Sequence, residues 1–411
     1  MKFIFLSLKR NILPFILILF TICLVLFSNS NLVATKNGLN LWATCVVPSL
    51  FPFFVITNLL SHTKVVSTIG KLLDKCMRPI FNVPGVGGFA FVMGLISGYP
   101  VGAKIVADFR EKGLVTKDEG ERLLAFTNNS GPLFILSSVG IALFGDTKTG
   151  LLLLVTHILS CITVGILLAK FSKKSEIENS YDTKKNFSHS SKLKSKYNSS
   201  ESSQDITLKN LGAVLTTSIN NSISTIFMIG GFVVIFSVII AILNQTSVLD
   251  KLSTFLYPIL NLLNIDLEFA KPLLSGILEL TNGVNLVANI PSKLISQNIV
   301  LSAFLLGFGG FSVLLQVYSI VSKTDLSMKK YLVGKFLQGI VAGIYTFLAL
   351  RFLPFLNLDV VQTSSLLNAS NNFNSAFYSF FYNFGIFVIA IALVICIFKV
   401  FNNIYKHIKE F

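Results

Sequence analysis

"GLISGYPVGAKIV", residues 94–106, decides how the rest of the chain is read. Apolar residues run into it from Phe89, and Gly98-Tyr99-Pro100-Val101-Gly102 then interrupts them. Proline has no amide hydrogen to donate and glycine weakens a helix by about 1 kcal/mol, so a helix breaks here in mid-run. Basic residues stand on both flanks: Lys64, Lys71, Lys75 and Arg78 before the break, Lys104, Arg110, Lys112, Lys117 and Arg122 after it.

Those flanks acquire meaning from the composition. Of the 411 residues 53% are hydrophobic and only 13% charged, with a mean hydropathy of +0.72. Soluble domains carry about 25% charged residues, so this is a membrane protein. Runs at 11–28, 150–169, 222–243, 332–350 and 376–398 approach the roughly 20 residues needed to cross as helix. The basic start of MKFIFLSLKR followed by an apolar core imitates a secretory signal. No small-x-small site follows it, so the expectation is an uncleaved first helix.

The net charge of +15 raises nucleic acid as a partner, and its distribution argues against that. Of the 34 basic residues, 28 fall in 2–10, 62–79, 104–122, 170–209, 323–335 and 399–409. Lysine and arginine accumulate in cytoplasmic loops, so these six segments, and with them both termini, are expected inside. A single crossing cannot begin and end on one face. Residues 86–103 therefore read as a re-entrant hairpin with SGYPVG at its tip, since irregular backbone at membrane depth survives only inside protein or a wet cavity.

The remainder fits the same frame. Helices 11–28, 39–60, 123–144 and 150–169 alternate in direction, and 172–208, with eleven serines and seven lysines, reads as a disordered cytoplasmic linker. Beyond it the pattern recurs from the opposite face. "GILELTNGVNLVANIP" (276–291) falls where "GLISGYPVGAKIVADF" fell, and "AFLLGFGGFSVLLQ" (303–316) matches "AFTNNSGPLFILSS" (125–138). The expected fold is an all-α polytopic membrane protein, an inverted repeat with re-entrant hairpins and broken helices, about eight full crossings plus two re-entrant segments. Its parts are an N-terminal transmembrane helix (1–38), a first repeat (39–171), the linker (172–208), a second inverted repeat (209–322) and two C-terminal transmembrane helices (323–411).

Broken apolar segments at matching positions of inverted repeats point to a transporter's midplane site. Four qualify: Ser97-Gly98-Tyr99-Pro100, Asn128-Asn129-Ser130-Gly131-Pro132, Glu279-Leu280-Thr281-Asn282-Gly283 and Gly307-Phe308-Gly309-Gly310-Phe311-Ser312, with Gln316 one turn on. Half-helix N-termini attract carboxylates and C-termini attract cations, so the four are expected to converge on one small polar solute. Against this, Gly307, Gly309 and Gly310 are equally suited to close helix packing. Glu279 is the only acid well inside an apolar segment; it reads either as a site coupling H+ or Na+, or as a buried hydrogen-bond partner holding the unwound segment. Lys104 and Lys271, near the ends of the broken segments, read as interfacial anchors.

Catalysis and cofactors find no support. No HExxH, GxGD or Ser-His couple lies at membrane depth, the four histidines and five cysteines lack metal spacing, and no GxxxxGK[ST] is present. The chain is expected to be no enzyme and to need no cofactor or metal. Transport would then be passive or gradient-driven.

"LWATCVVPSLFPFFV", "GLISGYPVGAKIV", "FTNNSGPLFI" and "LLSGILELTNG" resemble the sporulation integral membrane protein YlbJ (SpoVV) family, which carries the Gate, or nucleoside-recognition, domain. GFGGFSVLLQ also resembles the second hairpin of concentrative nucleoside transporters, with Gly310 at their asparagine position and GYPVG in place of their first-hairpin motif. The resemblance implies a carrier of a small organic anion, dipicolinate, passing from the mother cell across the outer forespore membrane. A flat ring with two carboxylates suits amides near Ser97–Gly98 and Asn129–Gly131, with Tyr99 or Phe311 stacking on the ring. Against a dianion Glu279 would be protonated or offset by a cation. The alternatives are a nucleoside or ion gate and a non-transporting structural protein of the spore.

Overall fold

A computed structural model describes residues 2–61, 63–171, 210–291 and 295–352, all within one unit, Met1–Asn357. The expected linker (172–208) and the helix at 376–398 lie outside the described residues.

Every regular element in the described residues is helical. Helix α1 (Lys2–Leu26) bends by 96° into α2 (Ser28–Leu41), which runs through a widened turn, Trp42–Val46, into α3 (Val47–Ser61). Residues 29–38, which lie between the expected helices 11–28 and 39–60, are helical as part of α2. The basic stretch 62–79 is also helix, α4 (Lys64–Phe81), ended by Asn82 in the left-handed conformation. Lysines and an arginine alternate there with Leu72, Leu73, Met77 and Ile80, which suits a helix lying at the bilayer surface.

The opening stretch forms two short helices, α5 (Val86–Ser97) and α6 (Val101–Glu111), parted at Gly98-Tyr99-Pro100. The arms meet closely, for a Cβ on Gly94 would stand 3.4 Å from the Gly102 Cα. Both glycines also grip the end of α7 (Lys117–Thr127): a Cβ would lie 1.7 Å from the Thr127 carbonyl oxygen at Gly94 and 2.4 Å at Gly102. Helix α7 starts at a reciprocal cap between Thr116 and Glu119 and stops at Asn128, whose backbone is extended. The expected helix 123–144 is interrupted at 128–131, within the NNSGP cluster named as a break, and resumes into α8 (Phe134–Leu143). Asp146 caps α9 (Thr147–Lys170) by accepting from the Lys148 and Thr149 amides.

Five elements then recur in the same order. Helix α10 (Leu211–Gln245) answers α2–α3; the short α11 (Val248–Thr254) and α12 (Tyr257–Leu262) answer α4; α13 (Ala270–Leu278) and α14 (Leu280–Ala288) answer the α5–α6 hairpin. α15 (Ile295–Phe308) and α16 (Gly310–Val321), parted at Gly309, answer α7–α8, and α17 (Lys329–Phe352) answers α9, each 24 residues long. By this order the second series runs from Leu211 to Phe352. The second hairpin closes on glycines as the first does: a Cβ on Gly283 would lie 1.9 Å from the Gly276 Cα.

Four described helices are long and apolar enough to cross a membrane, or up to six if each bent pair counts as one span. α10, with 35 residues, is about 52 Å long at 1.5 Å per residue, well beyond the hydrocarbon core of about 30 Å. It crosses α2–α3 where the Trp42 indole donates to the Ile226 carbonyl at 3.1 Å, with Gly230 leaving room for the indole ring. α17 packs on α15, α9 and α7, so both broken spans rest against the same unbroken one.

Candidate functional site

The four interrupted segments come together. Gly98 lies against Gly131, where a Cβ would stand 2.8 Å from the Gly131 nitrogen. With φ +77 this turn also needs the left-handed region, which glycine alone enters freely. Gly310, at φ +78, lies against the second hairpin, 3.0 Å from the Gly276 carbonyl and 3.1 Å from the Leu280 nitrogen by the same measure. One bond ties the pairs to each other: the Ser130 hydroxyl, which is also bonded to the Tyr99 hydroxyl, reaches the Leu306 carbonyl at 3.4 Å.

Between them lies a cavity of about 40 Å³. Of the expected site residues, Ser97, Gly98, Tyr99 and Gly131 line it from the first half, and Glu279, Thr281, Ser312 and Gln316 from the second. The widened turn before α3, α3 itself and α10 close it with Val46, Leu50, and Ile229 and Val233, respectively. The side-chain oxygens of Ser97, Ser312 and Gln316 are buried and have no hydrogen-bond partner. Buried polar atoms in that condition are rare and cost about 1–3 kcal/mol each, which marks a place prepared for a polar guest or water.

Glu279 sits where α13 ends and α14 begins, in extended backbone, 3% exposed. Its carboxylate accepts from the Thr281 amide (3.1 Å), the Asn282 amide (2.7 Å) and the Asn282 side-chain amide (2.9 Å). The free N-terminus of α14 is thus already occupied by the protein's own carboxylate, which both caps the half-helix and faces the cavity. Asn282 is held on its other side by Ser237 of α10 at 2.8 Å.

Other expected residues are near the cavity but do not face it. The Asn128 side chain donates to the Tyr331 hydroxyl at 2.8 Å, and Asn129 donates to the Phe126 carbonyl at 2.7 Å while accepting from Gln338 at 2.8 Å. The two asparagines face α17, and only the backbone around Gly131 meets the cavity. Pro100, Ser130, Gly309 and Gly310 are not among the residues that line it. Phe311 is 45% exposed and meets Phe308 edge-on, away from the cavity, so of the two expected stacking residues only Tyr99 lines it. Lys104 is exposed and Lys271 pairs with Asp250, which agrees with anchoring at the surface.

Three side chains on α17 carry more of this region than the sequence reading assigned. Tyr331, Lys335 and Gln338, spaced i, i+4, i+7, form one face against the break at Asn128. Lys335 donates to the Asn128 carbonyl at 3.0 Å and to Gln338 at 2.8 Å, and it is 0% exposed. Placing it in a cytoplasmic loop at 323–335 is therefore corrected: α17 begins at Lys329, and Lys335 lies almost two turns inside it. His157 of α9 accepts from the Ser130 amide at 3.3 Å, and its Nδ1 is unpartnered. Among the described residues no group of three or more His, Cys, Asp and Glu side chains is placed to hold a metal ion.

A profile of the Gate family, described as nucleoside recognition, matches residues 43–227 and 226–324. The sporulation integral membrane protein YlbJ of Bacillus subtilis (strain 168) is 38% identical over 315 residues, 77% of this chain and 76% of that protein. The chain belongs to the YlbJ family of Gate-domain membrane proteins. No solved structure matches it. The Gate match spans all four interrupted segments of this YlbJ-family protein and stops at 324, short of α17.

Proposed function

We propose that the chain is a secondary transporter for a small organic anion, working by alternating access between inverted halves, without chemistry on its solute. We further propose dipicolinate as that anion, moved from the mother cell across the outer forespore membrane; the sporulation role named for the Bacillus relative supports the setting. One observation carries the transport reading: four interrupted segments from two similar series of helices meet at a buried cavity whose Ser97, Ser312 and Gln316 oxygens lack partners. Such segments at membrane depth bind solutes in carriers. Glu279 fits this role because three N–H groups already offset its charge.

The cavity of about 40 Å³ has room for about three water-sized spheres, so a ring with two carboxylates requires it to widen. We read the arrangement as a contracted stage of the cycle. The test is uptake into proteoliposomes of labelled dipicolinate and, in parallel, labelled uridine. Saturable dipicolinate uptake, reduced about tenfold by the paired change Ser97→Ala with Ser312→Ala, is expected. Uptake of uridine alone would favour the nucleoside reading, for which the Gate description speaks; uptake of neither would leave a structural role.

A further inference from the structure

Two buried ionisable side chains belong to this region: Glu279, which lines the cavity, and Lys335, which stands behind its lining. Glu279 is met by three N–H donors and the N-terminal end of α14. Lys335 is met by less: its ammonium has three N–H groups, and its bonds are to two neutral acceptors, the Asn128 carbonyl and the Gln338 side chain. Among the described residues no carboxylate lies within ion-pair distance of it. The negative end of α7, which stops at Thr127, offsets about half a charge. A buried charge left so poorly matched is expensive, and lysine at membrane depth faces a protein interior or a solute path.

Its position is informative as well. Through Asn128 it holds the chain three residues before Gly131, which lines the cavity, and its side-chain carbon stands 3.9 Å from where a Cβ on Gly309 would be. Lys335 therefore sits directly behind both broken spans, one from each half. We propose that Lys335 is the charge-selecting residue of the cavity, whose ammonium acts through the two breaks to favour an anionic solute over a neutral one of the same shape. This rests on the transport reading above and gives it a sign. A unit charge acting across about 10 Å at an effective dielectric of about 20 changes affinity roughly tenfold for each unit of ligand charge.

The experiment measures binding to the full chain in lipid nanodiscs, with pyridine-2,6-dicarboxylate and its neutral isostere pyridine-2,6-dicarboxamide as paired probes. Lys335→Gln should weaken the dicarboxylate roughly tenfold or more and leave the dicarboxamide within about twofold. Lys335→Arg should restore the preference. Gln338→Glu, which sets a carboxylate beside the untouched ammonium, should abolish the preference by the opposite route. Equal loss of both probes in Lys335→Gln, unrelieved in Lys335→Arg, would make the lysine a structural prop and overturn the proposal. A wild-type protein that binds the two probes alike, or neither, overturns it too. Charge-dependent binding without flux in proteoliposomes would instead sink transport and leave the selectivity assignment standing.

Discussion

At Gly94 the space for a side chain is already occupied, since a methyl group there would fall 1.7 Å from the Thr127 carbonyl oxygen. Backbone cannot yield as a side-chain end does, so Gly94→Ala should destabilise the protein by about 1–3 kcal/mol, or stop it folding. Gly212→Ala, with nothing within 4 Å, should leave stability unchanged or slightly raised. Denaturant titration of the two variants in detergent checks the pair, and equal effects would mean that the close approach of α5, α6 and α7 is misdrawn. Residues also differ in how far the sequence announces them. The break at Gly98-Tyr99-Pro100 is legible because Pro and Gly act on their own backbone. That Asn128 and Asn129 needed partners was legible too, but once a helix stops no periodicity says which way the next side chain points. Lys335 is hidden because Lys329 and Lys330 precede it, and a basic cluster hides the one member that lies inside the helix.

At the scale of elements, the ends of α6, α7 and α17 are tied by charge on the face read as cytoplasmic. Arg110 of α6 grips Asp325, in the turn before α17, through two bonds of 2.8 and 2.9 Å, while Lys330 and Arg122 both pair with Asp118. The Arg110 guanidinium holds the Asp325 carboxyl below its ordinary value of 3.8, with Lys117 adding to the effect. A depressed folded value means that whatever the pair contributes is whole at neutral pH and is lost as pH falls through that folded value. Between pH 7 and 5 the hydrogen-exchange protection across 323–328, taken relative to the intrinsic exchange rate at each pH, should therefore stay constant, whereas Asp325→Asn should lower it at both. Exposed pairs add little to global stability, so the melting temperature should barely move. A fall in melting temperature without local loosening would assign Asp325 a different part. The caps of α7 and α9 came only with the structure, whereas the breaks at Gly98-Tyr99-Pro100 and at 128–131 were readable from apolar runs, Gly, Pro and paired asparagines. The bend into α2 was not, because SNSNLVATKNG is polar enough to pass for a loop and is held as helix by α10.

For the whole molecule, opposite orientation of the two halves is the expectation that charge placement motivates and that element order alone does not supply. In a background freed of the five native cysteines, single cysteines at the exposed positions 75 and 112 should react with an impermeant reagent from one face only. Cysteines at 268 and 289, flanking the second hairpin, should react from the other. Labelling of all four from one face would leave two similar series side by side with no inversion, and alternating access would need another basis.

The room between the halves also has a consequence for how fast anything can get through. A chamber that admits only a few waters offers no continuous aqueous thread from one compartment to the other. Under the transport function proposed above, each passage would consume one full rearrangement of tightly nested backbone, with glycine seated on glycine. If the proposed transport is right, throughput is bounded by that rearrangement and not by diffusion, and the protein works as a turnstile that keeps the membrane sealed to small ions between turns.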